Sequence, residues 1–294
     1  MRNEAVGRLY VVATPIGNLG DLSARARETL QSCAVIAAED TRHTGVLLKH
    51  FGIQTPQLSL HDHNEPRRAS DIIERLRQGA SVALVSDAGT PAISDPGFEL
   101  VRAVAAAGFE IIAIPGPCAA IAALSIGALP TDRFCFEGFL PARGAARRKR
   151  LQSLASEART LVLYEAPHRV RETLEDCVAV FGEERSATVA REITKMHEMT
   201  YRGSLRDLLE RAGSDPDFGR GEIVLVLAGA PQTLAGDDRG ADGHGGALDR
   251  ALKILLAELP LKQAARLAAQ ITEARDNEAY KRALHLKQES ASHS

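Results

Sequence analysis

Short apolar runs alternate with helical patterns through the first half of the chain. Each run is rich in β-branched or aliphatic residues and is followed by a segment of helical periodicity, such as the one from Asp21, its predicted cap, to Leu30. The clearest runs are Leu9 to Ala13, Val35 to Ala38, Ser81 to Val85 and Phe109 to Ile114. Repeated strand–helix units form a mostly parallel sheet covered by helices. The pattern therefore predicts an α/β fold.

The second half of the chain predicts another α/β domain with a more mixed sheet, and then a helical tail. Residues 236–246 hold five glycines among few apolar groups, which is typical of a flexible linker. Three helical patterns follow it. We predict an N-terminal α/β domain at 1–120, a second α/β domain at 121–230, a linker at 231–246, a small helical domain at 247–288 and a disordered tail at 289–294.

Composition limits the classes of function. The 294 residues carry a formal net charge of -2, so any contact with nucleic acid must come from local basic patches. The four cysteines form no CxxC pair, which predicts reduced thiols and no metal site. One uncharged stretch, 111–131, is long enough for a transmembrane helix, but Pro115-Gly116-Pro117 interrupts it. We expect a soluble cytoplasmic protein.

Polar side chains follow the predicted strands at the points where they end. In parallel α/β sheets, ligands bind outside the carboxyl ends of the strands, so these residues predict one site. Ordinary polar turns are the alternative for any single one of them. The residues are Thr14, Glu39, Asp40, His61, Asp62, His63, Asn64, Ser86, Asp87 and Gly116.

Three of these turns are rich in glycine and proline: 14–20, 87–97 and 115–120. Neither GxGxxG nor GxxxxGK[ST] occurs in the chain, which argues against a dinucleotide-binding or P-loop enzyme. Glycine permits close backbone approach and proline stiffens the turn, so such turns can hold a small ligand through main-chain groups. The third turn opens a helix, whose free N–H groups suit a carboxylate.

The three turns resemble the cofactor-binding loops of the tetrapyrrole methylase superfamily. The chain departs from that pattern at Thr90, where aspartate is common, and at Thr14-Pro15-Ile16-Gly17, which lacks the usual glycines. These departures resemble one branch, which methylates RNA of the small ribosomal subunit. That branch is also suggested by AEDTRHTG at 38–45, SDAGTPAISDPG at 86–97, FEGFLP at 136–141 and YEAPHR at 164–169. The resemblance runs from about Arg8 to Gly229 and continues in the helical tail.

The resemblance implies a two-domain tetrapyrrole-methylase-like fold, that of the class III S-adenosylmethionine methyltransferases, with a small C-terminal helical extension. It implies a homodimer that binds S-adenosyl-L-methionine between the domains, with no membrane or DNA partner. The implied reaction is 2′-O-methylation of cytidine 1402 in the decoding region of 16S rRNA, within the 30S subunit. The expected cofactor-binding residues are Pro15, Ser86, Asp87, Ala88, Gly89, Thr90, Pro91, Ala92, Gly116, Pro117, Cys118, Ala119, Tyr164, Ala190 and Ala228.

Methyl transfer to a ribose oxygen is an in-line displacement that needs no metal, because the cofactor brings its own electrophile. A hydroxyl is a weak acid, so a base or hydrogen-bond acceptor should assist it. The sequence does not choose among the candidates. A loop-bracing ion network around 39–42, or between Arg191 and Glu192, is the alternative. The predicted catalytic residues are Glu39, Asp40, Glu165, Arg191, Glu192 and Lys195, and Asp87 and His197 are further candidates.

Basic and polar residues near the predicted site are candidates for the RNA contact. A dense basic segment follows the FEGFLP strand, and phosphate contacts supply most non-specific affinity for nucleic acid. A solvated helix face is the alternative. The target nucleotide is expected to be splayed out of its helix to expose the ribose. The predicted substrate-binding residues are Arg42, His43, His63, Asn64, Arg143, Arg147, Arg148, Lys149, Arg150 and Arg169.

Two other functions fit the same sequence. A tetrapyrrole methyltransferase would share the fold, and a fold does not fix the substrate. The basic segment and the helical tail argue against it. A ribosome-assembly factor that keeps a cofactor pocket without catalysis is the second alternative.

Overall fold

Five parallel strands form the first sheet, in the order β3-β2-β4-β1-β5. A computed structural model describes residues 6–61, 64–231, 245–272 and 274–291. The strands are β1 (Leu9–Val12), β2 (Val35–Ala38), β3 (Gln57–Ser59), β4 (Val82–Val85) and β5 (Ile111–Ile114). The helices between them are α1 (Ala24–Ser32), α2 (Thr41–His50), α3 (Glu65–Arg77) and α4 (Phe98–Ala106). The α/β prediction is confirmed.

The first helix begins later than the sequence pattern suggests. Ser23 is the N-cap of α1, and its hydroxyl accepts a hydrogen bond from the Ala26 N–H. The predicted cap, Asp21, instead ends a short 3₁₀ turn, Leu19–Asp21. Serine and aspartate cap helices about equally well, so composition alone cannot choose between two candidates separated by only two residues.

A second sheet has the order β6-β7-β10-β8-β9 and mixes parallel with antiparallel pairs. Its strands are β6 (Phe134–Phe139), β7 (Thr160–Glu165), β8 (Ser186–Arg191), β9 (Met199–Ser204) and β10 (Ile223–Leu227). The helices are α5 (Ala119–Ile126), α6 (Gly144–Ser153), α7 (Val170–Phe181) and α8 (Leu205–Ser214).

The central strand β10 runs against both of its neighbours. Ile223 at its beginning lies opposite Glu165 and Arg191, the last residues of β7 and β8. The beginning of β10 therefore lies at the same edge of the sheet as the ends of β7 and β8, and Leu227 lies at the far edge. This direction decides which residues of β10 can reach a site.

Apolar side chains pack α5 and the first glycine–proline turn against the second sheet. Ile16, from the turn after β1, belongs to one buried cluster with Ala123 of α5 and Val162, Ala190 and Val224 of the sheet. The many alanines of α5 let the helix approach the strands closely. The two sheets belong to the same compact unit, Met1–Ala230.

The remaining residues, Pro231–Ser294, form a separate unit with a core of its own. Its helices are α9 (Gly245–Glu258), α10 (Leu261–Thr272) and α11 (Asp276–Ala291). Alanines such as Ala268 and Ala283 are fully buried between the helices, and Leu252 fills the centre. Residues 232–244 of the predicted linker and 292–294 of the predicted tail lie outside the described residues. Across the described ranges, every helix is too short or too polar to span a membrane.

Candidate active site

The three glycine–proline turns meet at one edge of the first sheet. Thr14 and Gly89 exchange two main-chain hydrogen bonds, 2.8 and 3.1 Å long, which join the first turn to the second. The Thr90 hydroxyl donates to the Pro117 carbonyl at 3.0 Å and joins the second turn to the third. A Cβ on Gly116 would lie 3.0 Å from the Cβ of Ala13, so the third turn also packs closely on the first.

Between these turns and the second sheet lies a cleft of about 440 Å³, which we call the main cleft. Small-molecule sites in proteins usually enclose about 300–1,000 Å³ and are mostly apolar with a few polar groups. The cleft fits that description. Its walls include Ile16, Asp87, Gly89, Thr90, Cys118 and Ala119 on one side and Tyr164, Ala166, Ile193 and Ile223 on the other.

Carboxylates give one end of the main cleft a negative character. Glu39, Asp87 and Asp95 all line it. The Asp87 N–H donates to Glu39 at 3.4 Å, and the Asp40 N–H donates to Asp87 at 3.0 Å. Burial, followed by the charge of Glu39, raises the pKa of Asp95 to about 6, although a hydrogen bond with Ser86 opposes the shift. This end of the cleft is therefore suited to a cationic ligand.

Tyr164 forms an aromatic wall of the cleft. Its hydroxyl accepts a hydrogen bond from the Ala120 N–H at 3.2 Å, and its ring packs edge-on against Phe136 and Phe139. Burial raises the pKa of Tyr164 well above its usual range, so the phenol stays protonated. The ring is therefore suited to packing against a ligand and not to removing a proton.

A second cavity of about 360 Å³, which we call the side pocket, shares a wall with the main cleft. Ile16, Asp87, Ala88 and Glu222 line both cavities. The side pocket is otherwise lined by Thr14, Pro15, Gly17, Leu19, His43, Thr44, Val46, Leu47, Ser86 and Lys195. Asp87 thus lies where groups held in the two cavities would meet.

Two of the predicted catalytic carboxylates serve the fold. Asp40 is the N-cap of α2, accepts from the Arg42 N–H at 2.8 Å and pairs with the Arg42 guanidinium at 2.7 Å. These bonds hold the pKa of Asp40 far below its usual range. The carboxylate of Glu165 is buried and accepts from the Ala166 N–H, from Arg169 and from the Thr173 hydroxyl. Glu165 also lines the main cleft, but its acceptor sites are used within the protein.

The loop after β8 is held by an ion network. Glu192, at a positive φ of 52°, accepts from the Lys195 ammonium at 2.9 Å and from the Glu222 N–H at 2.8 Å. Burial alone would lower the pKa of Lys195, but bonds to Glu192 and Glu222 outweigh burial and raise it. Lys195 is therefore a cation. Arg191 donates to the carbonyls of Arg220 and His197 and braces the loop.

The predicted cofactor residues fall into three groups. Asp87, Ala88, Gly89, Thr90, Cys118, Ala119 and Tyr164 line the main cleft. Pro15 and Ser86 line the side pocket, and Pro91, Ala92, Gly116 and Pro117 belong to the converging turns. Ala190 is buried beneath the cleft. Ala228 follows the far end of β10, where its N–H donates to Ser186 at the start of β8, so the structure does not bring it to the site.

The predicted phosphate-binding segment coincides with α6, and the structure divides its cations. The Arg147 side chain is 3% exposed and pairs with Asp176 at 2.7 Å. Its guanidinium is out of reach of an RNA phosphate, so the prediction that Arg147 binds the substrate is wrong. Arg148 also pairs with Asp176, and Arg150 pairs with Glu137. Arg143 and Lys149 are exposed, and neither forms an ion pair in the part of the chain that the structure describes.

The remaining predicted substrate contacts lie on three different elements. His43 lines the side pocket, and Arg42 is exposed beside it. Asn64 accepts from the His61 N–H and donates to the Ser59 carbonyl at the end of β3. Arg169 is held by Glu165. His63 lies outside the described residues.

Sequence reasoning missed several cleft residues. Glu222 lines both cavities, but it precedes a strand, and the expectation that site residues follow strands passed over it. Asp95 lies inside the second turn, and its own place in the SDPG sequence was the available signal. Ile193 and Phe139 contribute apolar wall, which no polar pattern reveals.

The two sheets and the three converging turns define the class of protein. Residues 8–209 match the family described as Tetrapyrrole (Corrin/Porphyrin) Methylases. Solved structures agree in fold. The X-ray structure of the cobalamin biosynthetic enzyme cobalt precorrin-4 methyltransferase, CbiF, aligns with a TM-score of 0.57 at 18% identity, over 78% of this chain and 97% of that one. The methyltransferase CobJ aligns with a TM-score of 0.57 at 20% identity, over 76% and 95%.

Sequence relatives narrow the class. Ribosomal RNA small subunit methyltransferase I of Escherichia coli O157:H7 is 50% identical, over 96% of each chain. The protein of that name from Pseudomonas aeruginosa is 52% identical, over 95% of this chain and 98% of its own. Residues 242–287 match the RsmI C-terminal HTH domain. The chain belongs to the ribosomal RNA small subunit methyltransferase I family.

Proposed function

We propose that this protein transfers a methyl group from S-adenosylmethionine to the ribose 2′-oxygen of cytidine 1402 in 16S rRNA, within assembled 30S subunits in the cytoplasm. The names of its relatives support the small-subunit rRNA as substrate. The observation that carries the proposal is that Asp87 lines both a cofactor-sized cleft and a second cavity. Two reactants held in adjoining cavities would meet beside an acceptor of protons.

The residues of the main cleft fit S-adenosylmethionine. Its ammonium and sulfonium would be favoured by the negative end formed by Glu39, Asp87 and Asp95, which all line the cleft. The close approach of Gly89 to Ile16, with φ at +82°, leaves the cofactor a backbone edge without a side chain. When bound there, S-adenosylmethionine supplies a methyl group already activated for transfer.

Asp87 is the acceptor for the ribose hydroxyl proton in this proposal. Three other candidates have other roles, since Asp40 caps α2, Glu165 anchors Arg169 and Thr173, and Lys195 is a cation. Glu192 is paired with Lys195, and Glu39 lines the main cleft but not the side pocket. The Asp40 N–H fixes one Asp87 oxygen at 3.0 Å, so the carboxylate has a defined direction. A positioned carboxylate that accepts the proton raises the nucleophilicity of the ribose oxygen as the new bond forms.

The loop after β8 helps to orient the target nucleotide of the RNA. Lys195 remains charged between Glu192 and Glu222 and lines the side pocket, so these ion pairs hold the loop in place beside the target ribose. Arg143 and Lys149, exposed on and beside α6, supply more distant phosphate contacts. The proposal includes a homodimer, and sedimentation equilibrium of the purified protein tests it.

The test is methyl transfer into 30S subunits from cells that lack this modification, with S-adenosylmethionine labelled in the methyl group. We expect one labelled nucleotide. The phosphodiester after it should resist alkali, because alkaline cleavage needs a free 2′-hydroxyl. Free 16S rRNA and 50S subunits are the controls. Label that appears on a base, label in 50S subunits, or no label in any RNA would each refute the proposal.

A further inference from the structure

Thr44 carries a hydroxyl that the protein itself does not satisfy. The residue is 3% exposed and lines the side pocket. Its Oγ1 is buried without a hydrogen-bond partner among the described residues, and so is the Oγ1 of Thr194. Thr194 lies beside Gly17, a residue of the side pocket, where a Cβ on the glycine would be 3.0 Å from that oxygen. Buried polar groups are nearly always hydrogen-bonded, so an unsatisfied one points to a missing partner.

The surroundings of Thr44 are those of a ligand site. Val46 is 71% exposed and, with Leu47 and Ile16, gives the side pocket an apolar wall. Its polar lining includes His43, Lys195, Asp87 and Glu222. Apolar walls with a few placed polar groups are typical of pockets that bind small molecules or bases. A flat aromatic ring can pack on the aliphatic wall while its edge reaches a hydroxyl.

The position of the side pocket selects the ligand. It adjoins the main cleft through Asp87 and Glu222 and has a volume of about 360 Å³, which suits one nucleotide rather than a helix of RNA. An enzyme that modifies a stacked nucleotide must extrude it into a pocket, at a cost in unstacking that pocket contacts repay. The pocket must then hold the base on the side of the ribose opposite the methyl donor.

We propose that the side pocket receives the extruded target nucleotide, with its base against Val46 and Leu47 and the Thr44 hydroxyl hydrogen-bonded to the base edge. The proposal rests on the function proposed above and states where the target nucleotide of that reaction binds. In this proposal, Thr44 contacts the substrate but takes no part in proton transfer. It also explains why a buried hydroxyl remains unsatisfied in the free protein.

Thr44→Val tests the proposal, because valine keeps the shape of threonine and removes only the hydroxyl. One neutral hydrogen bond is worth about 0.5–1.5 kcal/mol, so we expect kcat/KM for 30S subunits to fall about two- to twelvefold. The affinity for S-adenosylmethionine should not change. The melting temperature should stay equal or rise, because the variant no longer buries an unsatisfied oxygen. Thr44→Ser should restore most of the transfer.

Thr29→Val is the matched control. Its hydroxyl is buried on α1 and donates to the Arg25 carbonyl at 2.7 Å, so its loss should lower the melting temperature and leave transfer unchanged. A merely structural Thr44 would behave like Thr29. If Thr44→Val transfers methyl groups at the wild-type rate, the assignment of the side pocket is overturned, although the proposed function stands.

Val46→Glu is a second, independent test at an exposed position that the fold tolerates. A carboxylate on the pocket wall should repel the nucleotide and lower kcat/KM for 30S subunits by about tenfold or more, with unchanged binding of S-adenosylmethionine. Unchanged transfer by Val46→Glu would also overturn the assignment. If the wild-type protein labels no 30S subunit at all, the proposed function fails first and the nucleotide pocket fails with it.

Discussion

Gly17 and Lys195 are in direct contact across the side pocket, since a Cβ on Gly17 would lie 2.4 Å from the Cγ of Lys195. The turn after β1 and the loop after β8 therefore meet at Gly17, where a residue with a side chain would not fit without displacing Lys195. The contact also fixes the stem of the lysine, while Glu192 and Glu222 hold its ammonium. The position of this cation depends on the absence of one methyl group.

Gly17→Ala should therefore displace Lys195 and lower methyl transfer to 30S subunits by about tenfold, because a shift of about 1 Å in a positioning group is costly. Steady-state kinetics with labelled S-adenosylmethionine measure the effect. Gly213→Ala, in α8, is the control, because its added methyl meets only the tip of Arg171 at 4.0 Å. Equal activity of the two variants would contradict the role given to the contact.

Asp87→Asn should lower kcat by about 100-fold or more, the usual contribution of a positioned proton acceptor. The amide keeps the shape of the side chain and can still accept from the Asp40 N–H. Single-turnover transfer into 30S subunits isolates the chemical step. Asp132→Asn, on an exposed loop, is the control for the loss of one charge. A variant that retains wild-type single-turnover rates would remove Asp87 from its proposed role.

Asp95 should make stability depend on pH. Its folded pKa of about 6 exceeds the ordinary 3.8, so its contribution is fully present below about pH 4 and is lost as the pH rises through about 6. Asp95→Asn should therefore melt at a higher temperature than the wild type at pH 7, and the gain should vanish near pH 4. Differential scanning calorimetry measures both. Asp71→Asn, on the surface of α3, is the control for the loss of one surface carboxylate.

Removing the exposed cations of α6 should weaken binding to 30S subunits and reduce its salt dependence. Each lost phosphate contact lowers the slope of log K against log salt by about 0.7–0.9, so Arg143→Gln with Lys149→Gln should lower it by about 1.5. Filter binding at several salt concentrations measures the slope. Arg77→Gln with Arg102→Gln removes the same charge elsewhere. Equal slopes in the two double variants would exclude α6 as an RNA contact.

Arg147→Met should act on stability instead. It would leave Asp176 partly unpaired in a buried position, and breaking such a pair costs about 3–5 kcal/mol. Urea denaturation measures the loss. Arg148→Met, on the exposed side of the same carboxylate, should cost about 1 kcal/mol or less. A small loss for Arg147→Met would show that the buried pair is not needed for stability.

The fold was largely predictable because strand and helix periodicities are local. The runs from Leu9 to Ala13 and from Ser81 to Val85 contain β1 and β4 almost residue for residue. The direction of β10 relative to its neighbours was not predictable, since an apolar run fits a parallel or an antiparallel strand equally well. The resemblance implied Ala228, after the strand, as a cofactor-binding residue, whereas Glu222, before the strand, lines the cleft.

The part of the candidate site that depends on backbone conformation was predictable. The turns at Thr14, Gly89 and Gly116 meet because glycine and proline fix both their conformation and their close packing. The use of individual charges was not predictable. Arg147 and Arg148 are neighbours in sequence, yet one is buried and the other exposed, and only the tertiary pairing with Asp176 distinguishes them.

The main-chain pairing between Thr14 and Gly89 has an evolutionary consequence. Peptide groups, which every residue shares, hold the first and second turns in register, and a single hydroxyl–carbonyl bond adds the third. Mutations at the tips of these turns can therefore retune what the cavity accepts without misaligning it. Proteins that share this scaffold can therefore differ in the molecule they modify while the main-chain arrangement of the turns is kept.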